Sequence, residues 1–119
     1  MITPIQRDVH HTTLTIANGA NLSDALDFRL FSMLTVLMPA AWTAASIAFK
    51  VCSTNGGTYL PLYDDNGNLV QIDSPAVDKA YAAPPAVAGA IWVKLWSQNG
   101  SGTNTNQGAA RSLIVDVKS

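Results

Sequence analysis

An antiparallel β-sandwich of about eight strands, in the manner of a jelly roll, is the fold class that this 119-residue chain predicts. Three observations carry that reading. Short stretches alternate apolar and polar residues with a period of two, as in Ser46–Ser53 and Arg111–Lys118. Glycine-bearing turn signals separate them, at Asn18-Gly19, Thr54-Asn55-Gly56-Gly57 and Asp64-Asp65-Asn66-Gly67-Asn68. No segment shows a convincing amphipathic helical period.

Residues 1–9, with Pro4 and mixed polarity, read as an N-terminal arm, and residues 10–119 as one domain without internal repeat. His10–Ala17 is the first strand, with Thr12, Leu14 and Ile16 on one face. Asn21–Phe28 admits a helix capped by Ser23. Leu26, Phe28 and Leu30 keep a period of two, however, and extended structure is the better fit. Ser32–Met38 is almost wholly apolar and predicts a strand buried on both faces. Pro39–Ala44 is a connection with room for a single helical turn.

Ser46–Ser53 points Ile47, Phe49 and Val51 inward, against Ala48, Lys50 and Cys52. The Thr54–Gly57 turn leads into a returning strand, Thr58–Tyr63, whose Pro61 marks an edge. Asp64–Asn68 turns the chain again, and Leu69–Ile72 is a short strand after it. Ser74–Gly89 holds Pro75, Pro84 and Pro85 and reads as a wrapping loop, with one short strand near Lys79–Ala82. Ile91–Ser97 puts Ile91, Val93 and Leu95 on one face and Trp92, Lys94 and Trp96 on the other. Gln98–Gly108 is a polar, flexible loop, and Arg111–Lys118 closes the domain with Leu113, Val115 and Val117 inward.

Hydrophobic residues make up 48% and charged residues 13%, with a net charge of −1. The charged share is about half the usual one. A chain this long buries roughly 65% of its unfolded surface, enough for a core without staples. Its seven Lys and Arg residues are scattered singly, which argues against nucleic acid as a partner. The single cysteine, Cys52, excludes an internal disulfide and suits a reducing cytoplasm. Neither a secretory signal nor a membrane span is expected: the longest apolar tract, Met33–Trp42, is short and broken by Pro39.

Chemistry is sparse. His10-His11 are strand neighbours that point to opposite faces and do not chelate one ion, so no metal is expected. Asp64-x-Asn66-x-Asn68 has the first ligand positions of a calcium loop. Its glycine comes too early and Pro75 stands where the closing acid belongs, so a turn is the better reading. Cys52 has no activating neighbour, the eight carboxylates are dispersed, and neither a phosphate loop nor a nucleophile elbow occurs. No catalytic residue, cofactor or enzyme activity is predicted.

Both faces of Ile91–Ser97 are apolar, and both need cover. One belongs to the core. The other, carrying Trp92, Lys94 and Trp96, is expected to meet a sugar or a second subunit. Trp42 and the loop prolines Pro84 and Pro85 complete the candidate interface.

Four stretches carry a family resemblance: Thr15–Ala25 (TIANGANLSDA), Met38–Phe49 (MPAAWTAASIAF), Ser53–Gly67 and Asn106–Leu113 (NQGAARSL). From about Thr12 onward, the chain resembles small proteins encoded beside the capsid genes of tailed bacteriophages, departing from them at Arg29–Leu34. The resemblance implies a virion component, a capsid cement or decoration protein. It would be synthesised in the host bacterial cytoplasm and bind the outer surface of the major capsid protein shell as a homodimer or homotrimer. A virion-surface or fibre module that binds glycans, and a head–tail connector piece, are the alternative readings.

Overall fold

A computed structural model of the chain describes residues 8–119. The expected arm, residues 1–9, lies outside the described residues except for its last two positions, which are not arm-like. Asp8 N donates to Ser119 Oγ, and Val9 already belongs to a strand.

Nine strands follow in order: β1 (Val9–Ile16), β2 (Leu26–Asp27), β3 (Met33–Leu37), β4 (Ser46–Cys52), β5 (Leu60–Pro61), β6 (Gln71–Ile72), β7 (Ala80–Ala82), β8 (Trp92–Gln98) and β9 (Arg111–Lys118). Among the described residues, the helical structure is a single 3-10 segment, Pro85–Gly89. One sheet runs β1-β9-β3-β7. The other runs β2-β8-β4-β5, with β6 also on β4.

Every pairing is antiparallel, and the pairs are nested: β1 with β9, β2 with β8, β3 with β7, β4 with β5 and β6. The chain is in effect one long hairpin rolled over on itself. Rolling brings β9 beside β3 and β8 beside β4 as well. That is the path of a double-sheet jelly roll. β5 meets Lys50 and Val51, whereas β6 meets Ile47 and Ala48 farther along the same edge of β4. They are one interrupted strand with a turn bulging from it, not two strands side by side, so the roll has eight strands in all but name. Val70 N donates to Leu62 O across the base of that excursion.

Alternation builds the core. In β9, Leu113, Val115 and Val117 are buried while Ser112, Ile114, Asp116 and Lys118 are exposed. Val36, Ile47, Phe49, Val93 and Leu95 face them or lie beside them, fully buried. Asn21–Phe28 is extended, as expected, with bridges from Leu22 to Trp96 and from Ser23 to Ile16. Two expectations need correction. β3 is buried on one face only: Leu34 and Val36 are covered, but Met33 is exposed and Thr35 and Leu37 half-buried. A strand in a two-layer antiparallel body has one face on the core and one outside. Pro39–Ala44 also contains no helical turn.

The turn chemistry is as read. Gly56 takes φ +89°, and a Cβ on Gly57 would sit 2.6 Å from Cys52 Sγ, so the β4–β5 connection needs both glycines. Phe49→Ala should cost about 3–5 kcal/mol in urea unfolding, whereas Ile114→Ala on the outer face should stay within roughly 0.5 kcal/mol.

Candidate functional site

The outer face of the second sheet gathers three of the six residues singled out for interaction. β8 sends Trp92, Lys94 and Trp96 outward, and β4 sets Cys52, Lys50 and Ala48 directly beside them. Lys50 and Lys94 therefore face each other, an arrangement that repels. Each ammonium turns onto an aromatic ring instead. Lys50 Nζ lies 4.4 Å from the Trp96 ring centroid, and Lys94 Nζ lies 4.5 Å from that of Tyr59. Arg29 Cζ stands 5.4 Å from the Trp92 centroid while its guanidinium also grips Asp27 at 2.6 Å. Each cation–ring contact is worth about 0.5–1 kcal/mol at such sites. The Asp27 carboxyl is held below the ordinary aspartate value, chiefly by the hydrogen bond from the Arg29 side chain. Tyr59 is pushed up by its partial burial.

The segment after β8 then folds back over this face. Trp96 is only 3% exposed, and its Nε1 donates to Asn104 Oδ1 at 2.8 Å. Two buried glutamines hold the segment down. Gln98 Oε1 accepts from Gly100 N and Gly102 N at 2.6 and 3.0 Å, while its Nε2 donates to Gln71 Oε1 at 2.7 Å. Gln107 Oε1 accepts from Thr43 N at 2.9 Å and Arg111 Nε at 3.2 Å. Its Nε2 donates to Ser97 Oγ at 2.9 Å and Thr43 O at 3.1 Å. Among the described residues, no buried side-chain nitrogen or oxygen lacks a partner.

This corrects two expectations. Gln98–Gly108 is not a loose polar loop but a hydrogen-bonded cover, and Trp96 is enclosed by its own chain rather than left for a partner. The polar composition hid this, because Gln98 and Gln107 read as solvent-facing. The one available signal was their place: Gln107 and Arg111 both fall in the Asn106–Leu113 stretch that carried the resemblance.

The six candidate interface residues do not form one patch. Trp92, Lys94 and Trp96 share the second sheet's outer face. Trp42 packs against the core and donates from Nε1 to Ala45 O at 3.1 Å. Pro84 and Pro85 introduce the 3-10 segment at the opposite end of the sandwich, where Val87 plugs the core. Five exposed apolar side chains gather at that same end as Pro84 and Pro85. Val9, Leu30, Met33, Leu60 and Ile91 are all exposed, and all fall where β1, β3, β5 and β8 begin. No pattern in the sequence marked them as a group, because they come from four separate segments.

The remaining candidates are explained locally. Asp64 Oδ1 accepts from Asn66 N and Asn68 N, both at 2.9 Å, so the carboxylate serves its own turn. His10 and His11 are both exposed, their rings 6.2 Å apart. Cys52 is a half-buried free thiol. Among the described residues, no group of three or more His, Cys, Asp or Glu could hold a metal ion, and no helix is long and apolar enough to cross a membrane.

The fold and this self-covered face define an eight-stranded jelly roll with one closed outer face and one apolar end. No protein-family model matches the chain, and no curated protein matches it in sequence. The crystal structure of the SPBc2 prophage-derived protein YomS is similar over 100% of both chains, with a TM-score of 0.64 and 15% sequence identity. That likeness is one of fold.

Two outcomes test the site's construction. Gln107→Ala removes the side-chain partners of Thr43 N and Thr43 O, while Ser97 Oγ keeps its bond to Thr105 O, and should cost about 1–3 kcal/mol in denaturant unfolding. It should also raise the accessibility of Trp96 to a fluorescence quencher. The Asp64 carboxyl is held below the ordinary aspartate value, first by the Asn68 N–H and then by that of Asn66. Its contribution is complete above the unfolded value of about 3.9 and is lost as the pH falls through the lower folded one. An NMR acid titration should place Asp64 below that value, and Asp64→Asn should flatten the stability profile in that window.

Proposed function

We propose that this chain is a structural virion protein of a tailed bacteriophage. It decorates the capsid exterior, binding the outer surface of the major capsid protein shell as a homo-oligomer and stabilising it. It is not an enzyme in this reading, and it needs no cofactor.

One observation carries the proposal: among the described residues, five of the eight large exposed apolar side chains gather at one end of the sandwich, Tyr63, Val77 and Ile114 being the others. Val9 is 67%, Leu30 72% and Leu60 62% exposed, with Met33 and Ile91 beyond 40%. At the other end, by contrast, the buried side chains of Ser46, Ser97, Gln98 and Gln107 all find hydrogen-bond partners. A body with one greasy end and one sealed end docks end-on to another protein. Repeated over many copies on a shell, contacts that are individually weak add through multivalency. The resemblance in four sequence stretches and the matching fold of a prophage-derived protein support a phage context.

An adhesion role fits less well. Sugar recognition needs open aromatic faces, and here Trp92, Tyr59 and Trp96 each carry a cation over the ring.

Purified protein added to shells that lack it should bind and raise the temperature at which they break. Leu30→Asp with Ile91→Asp should weaken binding at least about tenfold, or 1.4 kcal/mol, while the isolated protein's stability hardly moves. Shells that neither bind it nor gain stability at micromolar concentration would overturn the proposal.

A further inference from the structure

We infer that β1 is a docking edge for a second copy of this chain, pairing antiparallel with itself across a twofold axis at His11.

The inference starts from which backbone groups β1 spends internally. Ser119 N donates to Asp8 O, which fixes the phase of the β1–β9 ladder. In an antiparallel pair, reciprocal bonding occurs at every second residue. Asp8, His10, Thr12, Leu14 and Ile16 therefore turn their N–H and C=O groups to β9. Val9, His11, Thr13 and Thr15 turn theirs away. Thr15 is already served: its N–H donates to Asp24 Oδ2 at 3.2 Å, and Ile16 bridges to Ser23. Among the described residues, the outward groups of Val9, His11 and Thr13 meet no partner.

The other sheet edges are blunted. β7 has three residues, β2 and β6 have two each, and β5 carries Pro61. β1 is eight residues long and pairs with β9 at every position without a bulge. It contains no Lys, Pro or carboxylate to discourage pairing.

The pattern selects its own occupant. Outward groups at positions 9, 11 and 13 match an identical antiparallel strand when His11 meets His11 and Val9 meets Thr13. Each of the three pairs then exchanges both hydrogen bonds. Such a contact is isologous and closes as a dimer. Asp24 at Thr15 limits its length. The register also covers apolar surface. On the outer face, Thr13 lies beside Ile114, which is 44% exposed. The partner's Val9, itself 67% exposed, extends that row. Two four-stranded sheets become one continuous sheet.

This deepens the homo-oligomer reading by naming its surface, and purified protein alone tests it. The contact is small, so dissociation in the range of about 1–100 μM is expected. Sedimentation should show a dimer at about 500 μM, well above that range. Amide exchange at His11 and Thr13 should slow as concentration rises, while Thr12, bonded to β9, stays protected throughout. Thr13→Pro removes an outward N–H and no internal bond, and should abolish the dimer. Should that variant not fold, His11→Lys sets like charges face to face and should weaken pairing at least tenfold. A monomer at that concentration, or exchange at His11 and Thr13 that ignores concentration, would overturn the inference. A dimer that survives both variants would do so too, while leaving self-association through another face intact.

Discussion

The two halves of this chain pair strand by strand, β1 with β9, β2 with β8, β3 with β7, and β4 with β5 and β6. Neither sheet exists without both halves, so register in one pair constrains all the others. Because side chains alternate with a period of two, a slip of one residue anywhere would turn a buried ridge outward. The core residues Phe49, Val93 and Val115 share one interior only because three separate pairings agree. The same nesting leaves two edges per sheet and sorts the connections into two ends of different character.

Those two ends, and the face between them, resolve an apparent imbalance in composition. A chain with 13% charged residues has few ions with which to wet its surface. It uses several of them as lids on aromatic rings, where Lys50, Lys94 and Arg29 keep their charge toward water and rest their stems on apolar surface. The rest of the covering is done by amides. Gln98 and Gln107 satisfy backbone groups that would otherwise be stranded beneath the folded-back segment. Most of what remains unwetted gathers at one end.

Much of the fold was legible because it rests on local rules. β9 follows a strict alternation, β4 carries its turn signal directly behind it, and the Lys79–Ala82 stretch yields the short β7. Burial of β3 was overread, because a run such as Met33–Leu37 has the same composition whether one face or both are covered. The relation of β5 to β6 was not legible either: two strands on one edge and two strands side by side share the same turn residues. For the candidate site, the clustering of Trp92, Lys94 and Trp96 followed from spacing alone. Their cover did not, since nothing local tells a buried glutamine from a hydrated one. The apolar end, assembled from four distant segments, was invisible until the roll was closed.

β9 lies in the interior of its sheet, hydrogen-bonded to β1 on one side and β3 on the other. During synthesis, residues 111–118 leave the ribosome after all their neighbours. Until they do, the nascent chain has a strand-wide slot in one layer, flanked by the two halves of an unfinished sheet. Non-local closure of this kind is slow, and the waiting intermediate exposes apolar ridges. A chain truncated before Arg111 would hold that slot open permanently, and any extended peptide of suitable pattern would be drawn into it.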